Sequence, residues 1–244
     1  RKIGIGVMGF AECLFRLGTS YDSPAAVAFA DEVAAFMAAE ARAASRPLAE
    51  IRGVLPAFAT SVHAARGDRL RNASLLSMAP TVTLSVLAGA SGGIEPFFAL
   101  AYRRRHRVGG APFVEVNPFF ERFVRTRMPD ADAILAAVGR DGTLAAVPSA
   151  ADIRARFVTA TEIAPARHLA VQHAFQRHVD NAVAKTINLP EDAPPVAVAD
   201  AYRGAWELGL KGVTIYRSGS KASQVLSLGV GEEPLARELF AECD

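Results

Sequence analysis

The chain has 244 residues, 51% of them hydrophobic, and its 27 basic and 25 acidic side chains leave a net charge of +2. This length can bury a sizeable core in one large domain or two small ones, and a charge so near balance predicts no nucleic-acid partner. The two cysteines, Cys13 and Cys243, stand far apart with no CxxC or histidine spacing nearby. We therefore expect neither structural zinc nor a disulfide scaffold, and a reducing cytoplasm. Because it begins at Arg1 without a methionine or a secretory leader, the chain is expected to be a piece of something longer.

The start of the chain contains a dinucleotide-binding pattern, G-x-G-x-x-G, at Gly4, Gly6 and Gly9. Asp22 stands at a suitable distance for a ribose contact, so a nicotinamide oxidoreductase is one alternative. That motif needs a strand before its first glycine, and only three residues precede Gly4. Residues 10–17 instead have the pattern of a helix, in which Cys13 is expected to be a buried small hydrophobe.

A long helix is predicted next, capped by Asp22 or Ser23 with Pro24 at its first position. Its apolar face consists of Val27, Ala30, Ala34, Met37 and Ala41. Such a face is typical of a helix packed on the outside of a larger body. We expect Pro47 to end this helix, and a further helix from Leu48 to be interrupted by Pro56.

Residues 73–94 carry no charge, and by length alone they would allow a membrane span. Pro80, several hydroxyl side chains and three glycines would leave many polar and helix-breaking groups in lipid. We therefore predict a buried segment. Residues 74–79 are typical of a strand buried on both faces, and Pro80 stops it.

A hydroxyl-rich turn then precedes a second apolar run, residues 86–88; its hydroxyls are those of Thr81, Thr83 and Ser85. A strand, such a turn and a helix start together favour an anion, because free N–H groups and the helix dipole converge there. Phosphate is the anion that we expect to bind there. An ordinary strand-to-helix turn in a core is the alternative.

The middle of the chain begins with a basic cluster, interpreted as a solvated loop after a strand: Arg103, Arg104, Arg105 and Arg107 around His106. A short strand is predicted at residues 113–116, followed by a helix that Asn117 caps and a second helix from Asp130 to near Gly139. The phenylalanines of the first helix are expected in the core: Phe119, Phe120 and Phe123. Residues 141–148 are predicted to form a loop.

The last third alternates helices and strands. Residues 164–185 have a helical pattern, with histidines at His168, His173 and His178. Steps of five residues turn each imidazole about 140° round the helix, so the three cannot converge on one ion, and a surface or packing role is predicted. A strand at 186–189, a helix at 198–208 and a strand at 213–216 then indicate a parallel sheet wrapped by helices.

Four stretches resemble, in the same order, the catalytic chain of adenosylcobalamin-dependent ribonucleotide reductases. They are RKIGIGVMGFAECLFRLGTSYDS from Arg1, APTVTLSVLAGASGGIEPFFALAYRR from Ala79, HVDNAVAKTINLP from His178 and AYRGAWELGLKGVTIYRSGSKASQVL from Ala201. Together they span nearly the whole chain. Four ordered matches are far less probable by chance than any single motif.

The resemblance implies an α/β fold: the C-terminal half of a ten-stranded barrel, with helices outside short parallel strands, over residues 1–244. It further implies that a cobalamin-initiated thiyl radical replaces the ribose 2′-hydroxyl by hydrogen. The radical cysteine motif Asn-x-Cys-x-Glu does not occur in this sequence. The radical and redox cysteines, and most of the adenosylcobalamin site, are therefore expected in a missing N-terminal half or a partner chain, and the chain alone is expected to be inactive.

The resemblance also implies site residues. It places the substrate phosphate on Pro80, Thr81, Val82, Thr83 and Leu84, and an aromatic hydroxyl near the radical site at Tyr216. Without the resemblance, Tyr216 is simply a half-buried strand aromatic. The family usually has glycine at the position of Val82, and valine would cost about 1–3 kcal/mol if held at a strained backbone conformation. A second departure is Ser218: residues 216–220 are YRSGS, where the family commonly shows YRYGS.

Three expectations about partners follow. The substrate is a ribonucleotide, and no membrane is involved. An open half barrel has two unpaired strand edges, so the chain should pair with the N-terminal half or self-associate. A degenerate, non-catalytic homologue that acts as a binding or scaffold protein is the alternative, supported by Val82 and the missing cysteines.

Overall fold

The computed structural model describes residues 1–104, 113–220 and 226–228. Its helices are α1 (Phe10–Arg16), α2 (Pro24–Arg52), α3 (Val62–Ala65), α4 (Val82–Ala88), α5 (Pro118–Arg127), α6 (Ala131–Asp141), α7 (Ala151–Arg154), α8 (Pro165–Gln176) and α9 (Pro195–Glu207). Its strands are β1 (Lys2–Ile5), β2 (Ser74–Leu76), β3 (Ala101–Arg104), β4 (Phe113–Val116), β5 (Thr186–Leu189), β6 (Thr214–Arg217) and β7 (Leu226–Leu228). Residues 105–107 of the predicted basic loop, and Cys243, lie outside the described residues.

Short parallel strands form the wall that positions the site. Strand β1 pairs in parallel with β2, and β5 pairs in parallel with β6. A parallel bridge between Met78 and Val183 connects the two pairs, reinforced by the hydrogen bond from Ala184 N to the Met78 carbonyl at 2.8 Å. The strands therefore follow one another in the order β1-β2-β5-β6, and the prediction of helices outside short parallel strands is confirmed.

A second, antiparallel sheet was not predicted. Strand β3 pairs with β4 on one side and with β7 on the other, both antiparallel. The sequence pattern alone placed a strand at residues 113–116 but named no partner for it. That strand pairs with β3, and the other side of β3 pairs with β7, which lies more than 100 residues further along the chain.

Helix α2 confirms the predicted cap and the predicted face, but it is longer than expected. Ser23 Oγ accepts a hydrogen bond from Ala26 N at 3.1 Å, and the fully buried alanines are Ala26, Ala30 and Ala34, with Ala38 nearly so. Pro47 does not end the helix, and the predicted break before Leu48 is wrong. Ser45 and Ala49, buried on either side of Pro47, hold the chain helical at a position where proline alone would break it.

Helix α8 is shorter than expected, because it ends at Gln176 rather than at residue 185. Beyond that point the backbone turns away to pair with β2: Asn181 N donates to the Leu76 carbonyl at 3.2 Å. The amide of Gln176 stabilises the turn by donating to the carbonyls of Val179 and Asn181. Residues 177–183 therefore keep an apolar pattern without being helical.

Three hydrophobic clusters form the core. The first joins α2, α8 and β2, and the third joins α8, α9 and β5. The second surrounds Phe157 and includes Phe120, with Phe119 and Phe123 packed against it, so these three phenylalanines are core residues as predicted. Among the described residues, no helix combines the length and the apolar character needed to cross a bilayer.

Smaller differences concern where elements begin and end. Helix α4 begins at Val82, before the predicted apolar run at 86–88. Helix α6 ends at Asp141 instead of near Gly139, and α9 begins at Pro195 instead of Val198. Proline at the first helical position explains the earlier start of α9, since its missing N–H costs nothing there.

Candidate functional site

The described residues enclose a cavity of about 370 Å³ beside α4. Its walls come from α1, α4, the loop of residues 89–99, β5 and the start of α5. This volume lies within the range of small-molecule pockets in proteins, about 300–1,000 Å³. The cavity therefore brings together segments that are far apart in sequence.

The start of α4 has an unusual backbone. Thr81, its N-cap residue, has a φ of 50°, the only positive φ of a non-glycine residue among those the structure describes. Its hydroxyl does not cap the helix but accepts a hydrogen bond from Gly93 N at 2.8 Å. The first N–H groups of a helix have no partner within it, so the Thr81 side chain leaves those of Val82, Thr83 and Leu84 open.

The loop that follows α4 folds back tightly onto the segment before it. A Cβ on Gly92 would lie 2.7 Å from the Pro80 carbonyl oxygen, so only glycine permits this approach. On the other side, Glu12 of α1 accepts from Ser91 N at 2.8 Å and from Ser91 Oγ at 2.6 Å. The first contact holds the loop against the segment before α4, and the second holds it against α1.

The structure corrects the expectation for Cys13. This residue is exposed, whereas its neighbour Glu12 is buried. Helix α1 turns the face that contains Leu14 and Phe15 to the core, and Cys13 lies on the outer side. The sequence analysis missed Glu12, because an acidic residue in an apolar run has no partner that can be recognised locally.

A buried lysine lies beneath the cavity. The Lys185 side chain is fully buried, and its Nζ donates to Glu95 Oε2 at 2.5 Å, to His168 Nδ1 at 2.8 Å and to the Thr186 carbonyl at 2.7 Å. An ammonium group has three N–H donors, so all of them are used. Glu95 is held at its other oxygen as well, since Oε1 accepts from Thr186 N at 2.7 Å.

His168 completes this network as a neutral imidazole. Its Nε2 lies 2.9 Å from the Ala160 carbonyl; because a carbonyl only accepts, Nε2 holds the proton and Nδ1 accepts from Lys185. The pKa of His168 is lowered from 6.5 to about 3, mainly by burial and also by the Lys185 charge, while the hydrogen bond to Ala160 opposes the shift. Burial also lowers the pKa of Lys185, while Glu95 opposes this shift. The sequence analysis predicted a surface or packing role for His168 and did not anticipate its hydrogen bond with Lys185.

Tyr21 holds the loop of residues 89–99 in place from the core side. Its hydroxyl donates to the Ile94 carbonyl at 2.7 Å, one residue before Glu95. Burial raises the pKa of Tyr21 well above 10, and the charge of Glu95 adds to this effect. Among the described residues, no three histidine, cysteine or acidic side chains gather closely enough to hold a metal ion.

Strand β5 presents its polar side chains to the cavity. Thr186 and Asn188 line it, whereas Ile187 and Leu189 point to the third cluster of the core, as expected for the alternation along a strand. Tyr216 of β6 stands opposite Asn188 in the register. Paired residues share one face of a sheet, so Tyr216 lies on the cavity side, one strand away from the wall.

The predicted phosphate residues lie together, with different surroundings. Pro80, Val82, Thr83 and Leu84 are all exposed, but of these four only Pro80 and Val82 line the cavity. Val82 is the first residue of α4 and is not held at a positive φ. The strain expected at Val82 is therefore absent, and the unusual conformation belongs to Thr81.

The glycine pattern at the start of the chain has a packing explanation. Gly4 lies inside β1, and a Cβ on Gly6 would be 2.5 Å from the Ser77 carbonyl oxygen, because β1 and β2 approach closely. Asp22 pairs with Arg167 of α8 at 3.3 Å and does not follow a second strand. The arrangement that would let these residues bind a dinucleotide is not formed.

Comparisons with known proteins agree with this geometry. Residues 1–216 match a family model described as ribonucleotide reductase, barrel domain. A Mycobacterium tuberculosis protein named vitamin B12-dependent ribonucleoside-diphosphate reductase is 46% identical over 238 residues, which cover 97% of this chain and 33% of that protein. A Thermoplasma acidophilum protein of the same name is 43% identical over 232 residues, which cover 95% of this chain and 30% of that protein.

Among solved structures, the Actinobacillus ureae class Id ribonucleotide reductase alpha subunit superposes with a TM-score of 0.74 at 23% identity, covering 90% of this chain and 39% of that one. This likeness shows a shared fold, and the family model's description identifies the parallel strands β1-β2-β5-β6 as part of a barrel. The chain spans about a third of the length of the two B12-dependent relatives. The matches cover nearly all of it, and it belongs to the ribonucleotide reductase barrel-domain family.

Proposed function

We propose that this chain is the substrate-phosphate-binding part of a cobalamin-dependent ribonucleotide reductase, which converts ribonucleotides to deoxyribonucleotides. The observation that carries this proposal is the uncapped start of α4 beside the cavity. The Thr81 hydroxyl is engaged with Gly93, so the N–H groups of the first turn remain for a ligand. The name and the identity of the M. tuberculosis relative support a ribonucleoside diphosphate as the substrate.

In this proposal the residues of the predicted set have three kinds of role. The backbone N–H groups of Val82, Thr83 and Leu84 donate to phosphate oxygens, helped by the positive end of the helix dipole. Pro80 has no N–H, and it brings the chain past Gly92 at close range. Thr81 contributes its backbone conformation rather than a hydrogen bond to the ligand.

Tyr216 is proposed to act in catalysis through its hydroxyl. It lies on the cavity side of the β5-β6 pair, half-buried and opposite Asn188. A hydroxyl in that position can hold or pass a hydrogen atom close to a radical site in the barrel. Tyr202 on α9 is 53% exposed and serves as a matched control.

Adenosylcobalamin does not fit inside the described cavity. A space of about 370 Å³ suits a small-molecule ligand, whereas a corrin ring with its nucleotide tail is much larger. We assign the cobalamin site mainly to the missing N-terminal half. The radical and redox cysteines are assigned there too, because Cys13 lies exposed on α1 and the sequence has no Asn-x-Cys-x-Glu.

Reconstitution tests the proposal. This chain is combined with a chain that carries the first half of the barrel and Asn-x-Cys-x-Glu, and adenosylcobalamin and a ribonucleoside diphosphate are supplied. We expect deoxyribonucleotide to form, Tyr216→Phe to abolish turnover and Tyr202→Phe to retain it. A complex that assembles but forms no product would contradict the proposal.

The alternative, a non-catalytic binding or scaffold homologue, loses one of its two supports. It relied on strain at Val82, and this residue has an ordinary helical conformation. The other support is the lack of catalytic cysteines in this chain, which the reconstitution addresses directly.

A further inference from the structure

Of the carboxylates that line the cavity, Glu12 and Glu95 differ in the acceptor capacity that remains on them. Glu12 is 8% exposed, and both of its oxygens accept from Ser91. The side chain of Glu95 is 27% exposed, with one hydrogen bond at each oxygen. A carboxylate has about four lone-pair sites, so Glu95 keeps acceptor capacity on its exposed side.

The rest of the network cannot reach a ligand. Lys185 is fully buried and has all three N–H donors engaged, and His168 is fully buried with both ring nitrogens engaged. A buried charge is costly unless it is paired. Lys185 therefore has no direct contact with a ligand in the cavity. It can act on the ligand only through Glu95, whose carboxylate it holds in position.

We propose that Glu95 is a ligand-binding residue whose carboxylate accepts a hydrogen bond from a hydroxyl or amino donor of the bound nucleotide, and that Lys185 is the residue that positions it. This inference rests on the proposed function, because it takes the nucleotide phosphate to lie at the start of α4. One loop connects the proposed phosphate site with Glu95. Gly93 N donates a hydrogen bond to the Thr81 hydroxyl, and Glu95 follows two residues later. One cavity thus offers N–H donors for an anion and a carboxylate for a donor group.

The test compares ligands that carry one or both of these features. Binding of inorganic pyrophosphate, cytidine 5′-diphosphate and cytidine to the 244-residue chain is followed by NMR through the Thr186 N–H signal, since this group donates to Glu95 Oε1. Glu95→Gln should weaken cytidine diphosphate binding at least about 10-fold, the usual effect of losing a hydrogen bond to a charged group. It should change pyrophosphate affinity less than about 2-fold. Asp200→Asn makes the same chemical change on exposed α9 and should alter neither.

Variants of Lys185 separate positioning from stability. Lys185→Met should weaken cytidine diphosphate binding as Glu95→Gln does, with pyrophosphate binding retained. If it does not fold, the double variant Lys185→Met with Glu95→Gln removes both charges of the pair and avoids an unpaired buried charge. The double variant should fold and still lack the preference for cytidine diphosphate. A pair with only a structural role would regain full affinity there.

The inference is overturned if Glu95→Gln keeps its affinity for cytidine diphosphate, or loses affinity for both phosphates equally. If the natural chain binds no pyrophosphate, the proposed phosphate site at α4 is wrong. The role of Glu95 is then tested by cytidine binding alone. A Thr186 shift with cytidine that disappears in Glu95→Gln would support the inference. No shift in the natural chain would refute it.

Discussion

Acidification should destabilise this protein through His168. The imidazole is fully buried, and its pKa is lowered from 6.5 to about 3. Between pH 6.5 and about 3, His168 therefore binds a proton in the unfolded chain but not in the folded one. The stability that His168 contributes is present above pH 6.5 and is lost as the pH falls from there towards 3.

The size of the effect follows from the two pKa values. A shift of one unit is worth about 1.4 kcal/mol, so the whole interval from 6.5 to about 3 corresponds to about 5 kcal/mol. Between pH 7 and pH 5 only the upper part of this interval is crossed. Linkage then predicts that the free energy of unfolding falls by about 2 kcal/mol because of His168 alone.

Urea unfolding followed by far-ultraviolet circular dichroism at pH 7, 6 and 5 measures this slope, at one protein concentration because association shifts apparent stability. His168→Gln keeps a donor for the Ala160 carbonyl and an acceptor for Lys185 but does not titrate, so it should lose about 2 kcal/mol of the pH dependence. His173→Gln on the same helix leaves those contacts in place and serves as the control variant for replacing a histidine on α8. An equal slope in the natural chain and in His168→Gln would refute the reasoning.

Three further predictions concern the start of α4 and the open strands. Val82→Gly should lower the free energy of unfolding by about 1 kcal/mol, because glycine disfavours helix, without raising pyrophosphate affinity; a large gain in affinity would mean that valine strains the site. Thr81→Ala should cost about 1–3 kcal/mol in urea, since Gly93 N loses its acceptor, whereas the exposed Thr83→Ala should cost under about 0.5 kcal/mol. The isolated chain should self-associate in sedimentation, because β1 is exposed along its length with Ile3 and Ile5 uncovered; a stable monomer would contradict this.

The starts of α2 and α5 could be predicted from local sequence because their capping signals act over a few residues. Ser23 accepts from Ala26, and Asn117 accepts from Phe120, each three positions away. Proline follows each cap and is already set for the first helical position. These signals are complete within one turn, so no distant part of the chain can alter them much.

Helix ends were predicted less well because distant contacts compete for the backbone. Residues after Gln176 have a helical apolar pattern, but pairing with β2 offers their N–H and C=O groups better partners. At Pro47 the opposite occurs, since packing on both sides preserves a helix that proline disfavours. In both places tertiary contacts outweigh a local preference of a few kcal/mol.

The order of four motifs was enough to assign this chain to its family and to identify residues 80–84 as the expected phosphate site. The sequence alone also predicted the strands β5 and β6 and the helix between them. Only the tertiary structure placed the positive φ at Thr81 instead of Val82, and only it brought Lys185 to Glu95, which lies 90 residues away. A lysine and a glutamate are ordinary surface residues in a sequence; their burial together depends on the packing of elements that no local pattern encodes.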